Sequence, residues 1–235
     1  VLGAYSSHRN APAQRLVKIP DGISDETAAA ALMKGMTVEY LLNRTHQVKK
    51  GENVLFYAAS GGVGQMAGQW GKHLGARMIG VTSGPENCGN VLQLGYDAAI
   101  DRKSEDIAAR VQELTGGEGV SVVYDSIGAA TFDDSIKSLA TYGVFVSFGA
   151  TTGEAPPVPP SLLQKNGSLF FTRPTLADYV KKREDLLHSA GEVFRLIAEG
   201  VIKINISQRM VLSDVAKAHD ALEAGETTGS TVFVP

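Results

Sequence analysis

Residues 53–76 read NVLFYAASGGVGQMAGQWGKHLGA, and this stretch decides the fold. Its first six residues form an apolar run suited to a buried strand. A glycine-rich turn follows, Ala59-Ser60-Gly61-Gly62-Val63-Gly64, and then a helical segment whose small residues Ala67, Gly68 and Gly71 can lie close to a sheet. That sequence of features is the first half of a mononucleotide-binding βαβ unit. Gly61 lets the backbone approach a diphosphate, Gly64 lets the helix pack tightly on the strand, and the helix start offers unpaired N–H groups at a positive dipole end. Ala59, Gly61, Gly62, Val63 and Gly64 are therefore candidate cofactor-binding residues. A plain strand-turn-helix corner can carry the same glycines, but the strand before them and the small-residue helix after them favour the phosphate reading.

Downstream, residues 77–82 (RMIGVT) make a second apolar strand, whose end is where a dinucleotide fold reads the adenosine ribose. NAD binders usually place Asp or Glu there to accept from the 2′-hydroxyl. This chain has Thr82, Ser83 and Gly84. No carboxylate opposes a 2′-phosphate and a hydroxyl can donate to one, so NADPH is favoured over NADH, although Ser83-Gly84-Pro85 also reads as a simple turn. A helix over 86–94, a short strand over 97–101 and the basic pair Arg102-Lys103 come next, and Arg102 at the strand end can reach a neighbouring phosphate. Ser104 is expected to cap a helix over 105–115.

Residues 120–125 (VSVVYD) and 143–148 (GVFVSF) are continuous apolar runs, as in strands covered on both faces of a parallel sheet. With helices between them, the fold class is α/β, a doubly wound parallel sheet of Rossmann type. The loops at 126–128, beginning with Ser126, and 148–151 should face the same crevice as the glycine turn. Asp125 reads better as a turn or cap acceptor than as a catalytic base.

On the N-terminal side, residues 15–20 suggest a short strand, Ser24 an N-cap, and Gly35 a break between two helices meeting at Lys34-Gly35-Met36-Thr37. Thr37 would then cap a helix or touch a ligand. Beyond 153–160, a proline-rich surface loop, the pattern predicts a strand at 168–172, a long amphipathic helix over about 178–199, short strands near 201–204 and 209–212, a helix over 213–224 and a last strand at 231–234. These shorter elements leave the α/β alternation and read as part of a second domain.

The chain has 235 residues and a formal net charge of −3, with no long basic run. No nucleic-acid partner is expected. No run of about 18 apolar residues occurs, so no membrane partner is expected either. A single cysteine, Cys88, excludes an internal disulfide and any cysteine-rich zinc site, and suits a reducing, cytoplasmic setting. The five histidines form no spaced cluster, so no metal is assigned. The opening VLGAYSSHR reads as the interior of a longer chain.

Taken together, Lys34-Gly35-Met36-Thr37, the turn from Ala59 to Gly64, Val123-Tyr124-Asp125-Ser126-Ile127-Gly128, Ser147-Phe148-Gly149, Thr172-Arg173-Pro174 and Gly229-Ser230-Thr231 resemble the zinc-free quinone oxidoreductases of the medium-chain dehydrogenase/reductase superfamily. The resemblance spans essentially the whole chain. It implies a Rossmann domain over residues 28–200, with 1–27 and 201–235 as pieces of a GroES-like catalytic domain whose front part precedes Val1. It further implies NADPH-dependent reduction of a quinone, a homodimer, and cofactor binding by this chain with little turnover.

By the same resemblance Thr37, Phe148, Gly149 and Ala150 flank the nicotinamide, Ser126 and Thr172 join the cofactor wall, and Ser83 with its neighbours holds the 2′-phosphate. Where that family often has a lysine and a tyrosine, this chain has Asn87 and Arg102, so the positive charge would come from Arg102 or Lys103. Catalytic residues are not identified. The alternatives are an enoyl or haloacrylate reductase of the same superfamily, which would need a proton donor, and a non-catalytic NADPH- or RNA-binding relative, which would need a basic surface. A methyltransferase is disfavoured because Thr82 and Ser83 stand where its ribose-binding acid belongs.

Overall fold

A computed structural model describes residues 3–225 and 227–234. Helix α1 (Asp25–Tyr40) starts where the Ser24 hydroxyl accepts the Thr27 amide at 3.2 Å, with Asp25 and Glu26 at its positive end. It runs unbroken through Gly35, which corrects the expected pair of helices. A Cβ on Gly35 would lie 2.6 Å from Val193 Cγ1 and 2.9 Å from Met66 Cε, so the glycine serves close packing between helices rather than a break. One π turn, Leu41–Thr45, ends the helix.

The chain then alternates through β1 (Asn53–Tyr57), α2 (Gly62–His73), β2 (Arg77–Thr82), α3 (Pro85–Leu92), β3 (Ala98–Asp101), α4 (Ile107–Leu114), β4 (Val120–Asp125), α5 (Phe132–Ser138), β5 (Leu139–Ser147), α6 (Pro160–Lys165) and β6 (Phe170–Thr172). The remainder is α7 (Leu176–Tyr179), α8 (Arg183–Ala198), β7 (Ile206–Val211), α9 (Val215–Glu223) and β8 (Ser230–Val234). Strands β1 to β6 form one parallel sheet in the order β3-β2-β1-β4-β5-β6, while β7 and β8 pair in parallel by themselves. The order reverses direction between β1 and β4, and a crevice opens there beyond the carboxyl ends of the strands.

Apolar side chains alternate to the two faces of the sheet. Phe56, Met78 and Tyr124 pack with Trp70 and Val193 on one side; Leu55, Ile79, Val123 and Phe145 pack with Val111 and Ile136 on the other. This double coverage explains the uninterrupted apolar runs in the sequence.

Several expected boundaries change for tertiary reasons. No strand forms over 15–20 or 201–204, because among the described residues neither has a neighbouring strand to pair with. Asp106, not Ser104, caps α4 by accepting the Ala109 amide at 2.9 Å, since the Ser104 hydroxyl donates to Asp101. The expected helix over 178–199 is interrupted after Tyr179. There the carbonyls of Tyr179 and Val180 accept from Arg44 at 3.0 Å and Arg15 at 3.2 Å instead of continuing the helical ladder.

Candidate functional site

Tyr57 ends β1, and Ala58 turns away from the strand with φ of 52°. The Ala59 amide donates to Val81 O at 3.0 Å and the Gly61 amide to Ala58 O at 2.9 Å, so these two donors hold the turn together. Gly61 is the N-cap of α2, and no side chain caps that helix. The next amides, Gly62 and Val63, lie in the first turn, where a helix has no internal acceptor for them. A parallel bridge also ties Gly61 to Gly229 on the approach to β8, so the amides of this turn face the C-terminal strand pair as well as the space in front of the helix. Gly64 is buried, and a Cβ there would come within 2.4 Å of Ala58 O and 2.6 Å of Ala59 Cα; its absence lets α2 begin against β1, as expected.

A cleft of about 540 Å³ opens in front of this turn. Of the candidate residues, Gly61, Gly62, Ser83, Asn87 and Arg102 line it. At the end beside β2, Arg102 Nε donates to Ser83 Oγ at 2.7 Å, and Asn87 Nδ2 donates to the Ser83 carbonyl at 2.9 Å. The remaining guanidinium N–H groups stay available for an oxyanion. The nearby Asp101 carboxylate is engaged by the loops around it, including the Ser104 hydroxyl at 3.1 Å. It accepts the Gly84 amide at 2.8 Å and the Lys103 amide at 3.0 Å, and these hydrogen bonds hold its pKa below the ordinary carboxylate value.

The far wall was not legible in the sequence. It comes from α9 and the approach to β8, including His219, Leu222 and Gly229, together with Tyr5, whose hydroxyl lies 3.0 Å from His219 Nε2. Lys34, the first residue of the Lys34-Gly35-Met36-Thr37 segment, also lines the cleft.

The residues expected near the nicotinamide are not gathered into this cleft. Gly149 and Ala150 line a separate hollow of about 360 Å³ with Ser147, Phe171, Arg173 and the proline-rich loop. Thr37 donates its hydroxyl to Met33 O at 2.9 Å within α1. The Ser126 carbonyl accepts the Thr151 amide at 3.3 Å, and Phe148 packs on Phe56 with ring centroids 5.7 Å apart. Thr172 closes β6. None of these four, nor Ala59, Val63 or Gly64, lines either hollow.

Asp125 is fully buried. It accepts from the Ile127 and Gly128 amides at 2.7 and 3.1 Å and from the Thr131 and Ser135 hydroxyls at 2.7 and 2.8 Å, so it organises the loop after β4. Burial raises the Cys88 thiol pKa, which disfavours the reactive thiolate. Among the described residues no group of three or more His, Cys, Asp or Glu side chains is placed to hold a metal ion, and no helix is long and apolar enough to cross a membrane.

Residues 62–183 match the family model described as zinc-binding dehydrogenase. The quinone oxidoreductase of Pseudomonas aeruginosa is 46% identical over 234 residues, an alignment covering all of this chain and 72% of that protein. A crystal structure of Escherichia coli quinone oxidoreductase complexed with NADPH superposes with a TM-score of 0.97 at 43% identity, covering 100% of this chain and 73% of that one. A 2-haloacrylate reductase from a Burkholderia species is 38% identical, with 100% of this chain and 71% of that protein covered. The glycine turn, the strand order and these similarities together establish that the chain belongs to the quinone oxidoreductase group of the medium-chain dehydrogenase/reductase superfamily.

Proposed function

We propose that the protein is an NADPH-dependent quinone oxidoreductase and that the cleft before α2 holds the adenosine and diphosphate part of the cofactor. The observation that carries this reading is the uncapped start of α2 facing a cleft whose ribose end presents Ser83 and Arg102 and no carboxylate. The residues fit the group: amides aim at a diphosphate, and a hydroxyl bonded to a guanidinium suits a 2′-phosphate. When bound, NADPH supplies a hydride that, with one proton, converts a quinone to a hydroquinone.

The chain's own residues bind and orient. Gly62 and Val63 donate to the diphosphate, Gly61 and Gly64 let the backbone come close enough, and Ser83, Asn87 and Arg102 select the phosphorylated ribose. Thr37, Ser126, Phe148, Gly149, Ala150 and Thr172 are assigned to the nicotinamide side. Within the same proposal, residues 28–200 form the cofactor domain, 1–27 and 201–235 belong to the catalytic domain, no zinc takes part, and the protein works as a cytoplasmic homodimer. The Burkholderia relative keeps reduction of an activated carbon–carbon double bond as a second reading.

Titration with NADPH and NADH, followed by nicotinamide fluorescence, tests the cofactor assignment. NADPH is expected to bind more tightly, and tighter NADH binding overturns it. Whatever NADPH oxidation the chain supports, small as it is expected to be, should proceed faster with 1,4-benzoquinone than with 2-chloroacrylate; the reverse order selects the second reading.

A further inference from the structure

Lys34 projects from α1 into the wall of the cleft, with its side chain half-buried. It takes part in no ion pair among the described residues. Its ammonium donates to Ser230 Oγ at 2.6 Å, and that hydroxyl is directed in turn at Ala30 O, 3.5 Å away. One of three N–H donors is thereby committed, and two are left.

The ammonium also lies against the glycine turn. A Cβ on Gly62 would fall 2.7 Å from Lys34 Nζ and 2.9 Å from the Gly229 carbonyl oxygen. Glycine at 62 therefore makes room for this lysine as well as for a ligand. A cation is thus held beside the first residue of α2, the positive end of a 12-residue helix that no side chain caps. Two positive ends brought together repel unless an anion lies between them. Burial adds to the cost of keeping the charge there.

We propose that Lys34 is a cofactor-binding residue whose ammonium meets the diphosphate at the start of α2, held in position by Ser230 of β8. The proposal rests on the NADPH reading. It extends the cofactor site to the C-terminal strand pair, because Ser230 fixes the lysine and Gly229 flanks the turn. It also divides the labour along the cleft: Lys34 serves the diphosphate, common to NADPH and NADH, whereas Arg102 serves the 2′-phosphate, present only in NADPH.

The test compares wild type, Lys34→Met, Lys34→Gln and Ser230→Ala in binding NADPH, NADH and adenosine 2′-monophosphate, which lacks the diphosphate. Lys34→Met should weaken NADPH and NADH alike by about tenfold, the scale of one charge-assisted hydrogen bond, and leave adenosine 2′-monophosphate within about twofold. Ser230→Ala should fall between it and wild type. NADPH affinity of wild type should also drop more steeply with added salt than that of Lys34→Met. Melting curves without ligand report folding, and Lys34→Gln supplies the same comparison if Lys34→Met melts early.

NADPH binding by the neutral variants within about twofold of wild type overturns the proposal, as does an equal loss for adenosine 2′-monophosphate. Wild type that binds neither dinucleotide overturns the functional reading itself, a separate outcome.

Discussion

Adding a single methyl group at two glycines three residues apart should have opposite consequences. In Gly64→Ala the new Cβ would stand 2.4 Å from Ala58 O and 2.6 Å from both Ala59 Cα and Ala59 O, all backbone atoms that cannot swing aside. Ordinary contact begins near 3.4 Å, so the start of α2 must retreat from β1 by about 1 Å. That helix buries Met66, Ala67 and Trp70 against the sheet. Because three backbone atoms are overlapped at once, the cost falls in the upper part of the overpacking range, about 2–3 kcal/mol, of which the better helix propensity of alanine returns about 1 kcal/mol, leaving about 1–2 kcal/mol. At roughly 2–4 °C per kcal/mol for a chain of this size, Tm should fall by about 2–8 °C.

Gly61→Ala is different. Its φ of −74° suits any residue, and the nearest atom to a new Cβ is Ala58 O at 3.2 Å. The smaller entropy of the unfolded chain offsets that contact, so Tm should stay within about 2 °C. The methyl would instead occupy the approach to the diphosphate, and NADPH affinity should fall by about tenfold or more, about 1.4 kcal/mol per decade. Circular-dichroism melts and fluorescence titrations on both variants decide the matter. Wild-type melting for Gly64→Ala, or wild-type NADPH affinity for Gly61→Ala, would refute the reasoning.

Three further outcomes follow from the geometry. Arg102→Ala should lower NADPH affinity by about tenfold, a charge-assisted bond discounted for exposure, and leave NADH within about twofold; equal losses would remove Arg102 from 2′-phosphate recognition. Asp125→Ala strips the acceptor from two amides and two hydroxyls at a fully buried position, so the urea midpoint should drop by the equivalent of about 3–5 kcal/mol, and a loss below about 1 kcal/mol would show that the loop after β4 does not depend on it. Because burial lowers the Lys34 pKa, the unfolded chain binds more protons at this site between the folded value and 10.5. Its contribution to the stability of the free protein therefore rises with pH through that alkaline window, whereas NADPH affinity falls as the ammonium is neutralised. The difference in Tm with and without NADPH should shrink as pH rises there, and in Lys34→Met this extra shrinkage should vanish.

What the sequence determined by itself was whatever depends on near neighbours along the chain. The strand-turn-helix of residues 53–76, the Ser24 cap three residues from its donor, the apolar strands and the inward role of Asp125 all rest on short spacings, and the fold class followed from their order. The positions of the glycine turn, Ser83 and Arg102 were legible for the same reason, since each sits directly after a strand of known direction. Only tertiary structure decided the rest. Gly35 reads as a break until Val193 is found packed against it, and the interruption after Tyr179 requires Arg44 and Arg15 from distant segments. Lys34 meets Ser230 across 196 residues, and α9 closes the far side of the cleft. Such contacts join segments whose separation leaves no periodicity to read, so their partners are known only once the chain has packed.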